Sequence, residues 1–217
     1  MAYVSAQDAT TIRRLRQGIG LVGLALPFAI GFGSAWQTGE WDVLNSISAS
    51  YYTGMRDVFV GSLCAIGVFL IFYRLSRWDD ILGTVAGVAA ILVALFPASP
   101  GAHELVNASV DGFSGIMHGI AATVLFLSLA AFCFFLFPRS IQPYAMTRRK
   151  KVRNVVYLLC GVAILAGLGL AVLGATVMPQ HVEDRWHPMW WGETVAIVAF
   201  GVAWTAKSNT LLPDVET

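Results

Sequence analysis

Charge is scarce in this chain. Of 217 residues, 12% are Asp, Glu, Lys or Arg against 57% hydrophobic, and the mean hydropathy is +0.68. An ordinary soluble domain carries about twice that share of charge, so composition excludes one and points to a membrane protein. Cysteine is scarce too. Cys64, Cys133 and Cys160 all fall inside apolar runs, with no C-x-x-C pair and no zinc-finger spacing. That excludes a disulfide framework and leaves them as small buried residues. No Walker, Rossmann, H-E-x-x-H, C-x-x-C-H or G-x-S-x-G motif occurs, which removes the common signatures of nucleotide, zinc-protease, haem and α/β-hydrolase chemistry.

Apolar runs are what the chain has in quantity. Six read as transmembrane helices, at about residues 18–36, 55–73, 81–96, 113–137, 155–178 and 189–206. The expected fold is an all-α polytopic bundle, a single membrane domain over residues 1–217. The first run follows Arg13-Arg14-Leu-Arg16 and is nearer span length than a signal h-region, so it reads as a retained span. Pro27 at its middle is expected to kink it. Small residues recur at helical spacing in the third run (Gly83, Gly87, Ala90, Ala94) and the fifth (Gly167, Ala171, Ala175), ridges suited to packing within the chain or between copies in a homo-oligomer.

Charge orients the spans. If they alternate, all but Arg56 and Arg185 of the 14 basic residues fall on one side, which the positive-inside bias assigns to the cytoplasm with both termini. The run Arg148-Arg149-Lys150-Lys151 with Arg153 reads as a loop that sets topology and touches anionic lipid, not as a nucleic-acid surface. The other side collects Glu40, Asp42, Asp57, Glu104, Asp111, Glu183, Asp184 and Glu193, together with His103, His118, His181 and His187.

Depth singles out three of these. Only 16 residues separate Asp57 from Arg74, and 13 separate Glu193 from Lys207. Those are roughly 24 Å and 20 Å of helix, against a hydrocarbon core of about 30 Å. Asp57 and Glu193 are therefore expected just inside the outer boundary, where 20 residues before Arg139 also place His118. Asp57, Gly61, Cys64 and Val68 share one helical face, read as inward; Glu193, Ile197, Gly201 and Trp204 share another. Beside them runs Ser46-Ile-Ser-Ala-Ser-Tyr-Tyr-Thr-Gly-Met-Arg-Asp57, whose Ser50, Tyr51, Tyr52 and Arg56 could serve a ligand. Trp190 and Trp191 could close over it or act as interface belt residues. Each candidate has a plain alternative: Asp57 and Glu193 as first-turn acids favoured by the helix dipole, His118 as a hydrogen-bonded core imidazole. Asn107-Ala-Ser109 matches a glycosylation sequon.

The stretch from Ser46 to Gly61, and Glu193 to Trp204, resemble a group of small bacterial multispan proteins that brings no activity with it. A fainter similarity is to the CREST superfamily of membrane hydrolases and receptors, which includes the alkaline ceramidases. That resemblance implies a zinc site for lipid amide hydrolysis, with Ser50, Asp57 and His118 as the matching positions. The chain departs from it in having six spans and Glu193 where a histidine pair is expected. Two functions follow as expectations for a bacterial cytoplasmic-membrane protein. One is lipid or amphiphile binding at the outer face. The other is zinc-dependent hydrolysis of a lipid amide or ester, with His118, Asp57, Glu193 and His187 as ligands. A small transporter is a third.

Overall fold

The computed structural model describes residues 6–39, 41, 43–99, 112–139 and 148–208, which are helical with no strand among them. Seven α-helices follow in order: α1 Ala6–Thr38, α2 Arg56–Ile71, α3 Arg77–Leu95, α4 Gly112–Ala131, α5 Arg148–Thr176, α6 Gln180–Trp186 and α7 Pro188–Lys207. A 3-10 turn, Ser48–Tyr52, precedes α2, and a π turn, Phe132–Leu136, extends α4. Four stretches are long and apolar enough to cross a membrane: Thr10–Thr38, Arg77–Leu95, Gly112–Leu136 and Arg148–Thr176.

Apart from the short α6, each helix packs beside its neighbour in sequence, and α7 returns to α1, so the six long helices close a ring. Here "upper" denotes the end where α1 finishes. Two boundaries differ from the sequence expectation. The polar residues from Ala6 onward already belong to α1, and the basic run expected in a loop forms the first turns of α5, with Arg153 buried. The loop before α7 also folds into α6, which ends on His187 in the left-handed region at φ 48°. That is a strained setting for a residue preceding proline.

Glycines set the closest crossings. A Cβ on Gly67 of α2 would stand 2.7 Å from the carbonyl oxygen of Gly87 on α3, and one on Gly192 of α7 would stand 2.6 Å from that of Gly167 on α5. Real Cβ atoms do not approach so near, so these pairs are where backbones touch. The first small-residue ridge is thus occupied within the chain, with Gly83, Gly87, Ala90 and Ala94 buried; in the second, Gly167 and Ala171 meet α7 while Ala175 is exposed.

An aromatic floor closes the lower end of the ring. Fully buried Trp204 packs edge-on to Phe132 and Phe137 at 4.9 and 4.7 Å, with Tyr73 and Tyr157 around them. Arg16 donates to the Tyr73 hydroxyl at 3.0 Å, and Lys207 donates to the Phe137 carbonyl at 2.8 Å.

One helical face proves inverted. Asp57, Gly61 and Val68 are exposed on α2, while Phe59, Leu63, Ile66 and Leu70 turn into the ring. The offset is two residues, roughly half a turn of the wheel, and an almost uniformly apolar helix carries no polar stripe to reveal it.

Candidate functional site

The upper end of the ring is filled by the chain's own polar stretch. Ser46, Ile47, Ser48, Ala49 and Ser50 are all buried, and the 3-10 turn they open lies across the mouth as a plug. A short non-helical segment can be buried only if its backbone polar groups find partners. The plug's leading N–H groups find one in Glu193, one turn into α7. Glu193 Oε2 accepts from Ile47 N–H at 2.6 Å and, at a long 3.4 Å, from Ser48 N–H. Within the plug, Ser46 Oγ accepts from Ala49 N–H and Ser50 Oγ donates to the Ile47 carbonyl. Ser50 is therefore a turn-closing hydroxyl, fully buried.

His118 holds the plug from the opposite wall. Its Nδ1 lies 2.7 Å from the Phe96 carbonyl oxygen and its Nε2 3.0 Å from Ser48 Oγ. A carbonyl only accepts, so Nδ1 carries the proton, and in the neutral ring Nε2 is left to accept the Ser48 hydroxyl. Ser48 has a single proton to give. With it committed to His118, the 3.4 Å approach of Ser48 Oγ to Glu193 Oε1 is a contact rather than a second donated bond. Three successive carbonyls after α3 are taken in this way, Phe96 by His118, Pro97 by Ser114 and Ala98 by the Tyr52 hydroxyl. Pro97 forces this segment to stay extended and presents its carbonyls sideways.

A serine hydroxyl on a neutral imidazole is the form of a nucleophile–base pair. The surroundings argue for a clamp. Ser48 and Glu193 line the inner cavity of the ring, about 40 Å³ and otherwise walled by apolar side chains such as Leu63, Leu125 and Phe200. That holds no more than a few waters. The backbone N–H groups that could steady a developing oxyanion are already occupied by Glu193.

Outside the plug a larger pocket opens, about 440 Å³, between the plug, α4, α5 and α6. Its polar wall is made by Asn45, Ser46, Ser99, His118 and Glu183. Glu183, on α6, is buried against Gly174 of α5, whose missing Cβ leaves room for the carboxylate. Oε1 accepts from Met189 N–H at 3.3 Å, and Oε2 has no partner. Burial pushes this carboxyl above its ordinary range, with Asp184 adding to the rise while the Met189 N–H and His187 oppose it. Asn45 ties the pocket to α7. Its carbonyl accepts from Trp190 N–H at 3.1 Å, and its Oδ1 lies 3.2 Å from His187 Nδ1.

The sequence candidates thus separate. Glu193 and His118 come together through Ser48. Asp57 is exposed in the first turn of α2, the plain alternative set beside it above. Tyr52 ties the plug to the end of α3, and Arg56 donates to the Tyr51 hydroxyl at 2.9 Å over its ring. Trp190 and Trp191 line a different, apolar pocket of about 260 Å³ against Phe28 and Phe32 of α1. His181 is exposed; Glu40, Asp42, His103, Glu104, Asn107, Ser109 and Asp111 lie outside the described residues. Glu183 and Asn45 escaped sequence reasoning, while Ser46, Ser48 and Ser50 stood there as a triplet of candidate nucleophiles, with nothing to single out Ser48. The one available signal for Glu183 was the pair Pro179 and Pro188, which brackets a small element.

The implied zinc ligands do not fit an ion. Among the described residues no three His, Cys, Asp or Glu side chains converge. Both His118 nitrogens are engaged, Glu193 faces backbone N–H groups, His187 faces Asn45, and Asp57 points away from them all. Compared with protein-family models, curated proteins and solved structures, the chain matches none.

Proposed function

We propose that this is a six-span protein of the bacterial cytoplasmic membrane, with both termini inside, that binds the head of a lipid or other amphiphile in the pocket beside His118. The observation that carries the reading is the pocket itself. It is large enough for a headgroup, polar on the plug side, and its lining residues on α4 and α5 are neighboured in sequence by exposed apolar side chains, Ile116 and Ile120 of α4, Val172 of α5 and Val177 just beyond it. Such flanks suit acyl chains beside a seated head. The 40 Å³ inner cavity is too small for this role. The concentration of basic residues at the lower end supports an outward-facing pocket.

Gly119 offers the test. It lines the pocket, and a Cβ added there would meet nothing within 4 Å. Gly119→Trp should fill the pocket while leaving the helix intact, and Gly119→Ala should leave binding unchanged. Protein purified in mild detergent is extracted and its bound amphiphiles are identified by mass spectrometry. Wild type and Gly119→Ala should carry a stoichiometric amphiphile that Gly119→Trp lacks. Equal retention by the Trp variant would sink the assignment of the pocket. For orientation, His181→Cys should react with a membrane-impermeant maleimide added to intact cells.

A further inference from the structure

The pocket beside His118 has a chemical preference built into its wall. Glu183 is only 7% exposed, and of its two carboxylate oxygens only Oε1 is satisfied within the chain. Oε2 is a buried acceptor with no donor among the described residues, set where a Cβ on Gly174 would come within 3.0 Å of it. Water can fill that role in an empty pocket, but only a cation both donates a hydrogen bond and offsets the buried charge. The described lining contains no Lys or Arg to do so.

A second absence separates two kinds of cation. The described lining contains no Phe, Tyr or Trp, and its one ring, the His118 imidazole, is engaged at both nitrogens. A quaternary ammonium has no N–H and is held by aromatic faces. A primary ammonium has three N–H donors and requires oxygens. Oxygen-bearing side chains are what this wall supplies: the Glu183 carboxylate, the hydroxyl groups of Ser46 and Ser99, and the Asn45 amide. We propose that the pocket recognises the primary ammonium group of an amphiphile, with the Glu183 carboxylate accepting one of its N–H bonds. This rests on the amphiphile-binding reading above and narrows it to one head chemistry.

The test uses the full-length protein, delipidated in detergent and titrated by native mass spectrometry with dioleoyl phospholipids bearing either an ethanolamine or a choline head. Wild type should hold the ethanolamine lipid roughly tenfold more tightly, the size of one charge-assisted hydrogen bond. Glu183→Gln, which keeps an oxygen for Met189 N–H, should bind both lipids alike, and Gly119→Trp should bind neither. Equal affinity of wild type for the two lipids overturns the ammonium proposal and leaves amphiphile binding standing. Failure of wild type to bind either overturns both. A preference that persists in Glu183→Gln overturns the role of that carboxylate. The first comparison needs no variant, so a misfolded substitution does not remove the test. Competition by free ethanolamine distinguishes the source: displacement marks a soluble amine as sufficient, and resistance marks the lipid-borne head.

Discussion

Removing the Glu193 carboxylate should release the plug. In Glu193→Ala the Ile47 N–H loses a 2.6 Å charge-assisted bond, and Ile47 is 1% exposed, so no bulk water stands ready to replace it. A hydrogen bond to a charged group is worth about 1.5–3 kcal/mol, and leaving its buried partner unsatisfied costs about 1–3 kcal/mol. The 3.4 Å bond to Ser48 N–H adds little. The shortened side chain also enlarges the adjoining cavity, which can admit a water to the orphaned donor and pull the total down. The expected loss is about 3 kcal/mol for Glu193→Ala and about 1 kcal/mol for Glu193→Gln, which keeps a neutral acceptor. Equilibrium unfolding in mixed micelles measures both, and limited proteolysis within residues 43–55 reports whether the loss is local. A double-mutant cycle with Ser48→Ala adds a check, because both residues hold the same turn and should couple by about 0.5–3 kcal/mol. If Glu193→Ala unfolds with the wild-type midpoint, the carboxylate does not secure the plug and the clamp reading is wrong.

Three further outcomes follow from other parts of the molecule. Gly192→Ala should destabilise by about 1–3 kcal/mol, because its Cβ meets the Gly167 carbonyl. Gly169→Ala, with nothing within 4 Å, should stabilise by about 0.5–1 kcal/mol; the same unfolding assay orders the two. Asp57→Asn should shift stability by no more than about 0.5–1 kcal/mol, the worth of an exposed first-turn acid, so a loss as large as that of Glu193→Ala would contradict its placement. Glu183 links stability to pH. Its folded carboxyl is raised by burial, so the folded state holds the proton more tightly than the unfolded one. Its favourable contribution is then complete below the ordinary carboxyl range and is lost as pH rises through the raised folded value. Glu183→Gln should therefore be relatively more stable than wild type at pH 8 than at pH 4, as thermal unfolding at the two pH values would show.

The membrane character and nearly all the helices were legible because they rest on runs of apolar residues and on their interruption by charge. Residues 55–73 and 189–206 lie over α2 and α7 within a few positions. The depth argument also drew attention to Glu193 and His118, which meet the same plug. It could not tell which way Asp57 faces, since position along a span says nothing about rotation around it, and α2 is apolar on nearly every side. The choice among Ser46, Ser48 and Ser50 was equally closed. Three hydroxyls at alternate positions look alike until a 3-10 turn sends one to His118 and another back to Ile47.

By itself, then, the amino-acid order determined which segments are apolar and where along them the ionisable groups fall, since both follow from one-dimensional hydropathy and helical rise. Only the tertiary structure decided that the polar stretch lies across the mouth of a six-helix ring and that Ser48 joins Glu193 to His118. It alone placed Glu183, which counted in sequence merely as one acid among many, over Gly174 with an oxygen unclaimed. The physical reason is that a buried polar group is satisfied through space. Ile47 and Glu193, or Ser48 and His118, become partners only when helices remote in sequence close a ring.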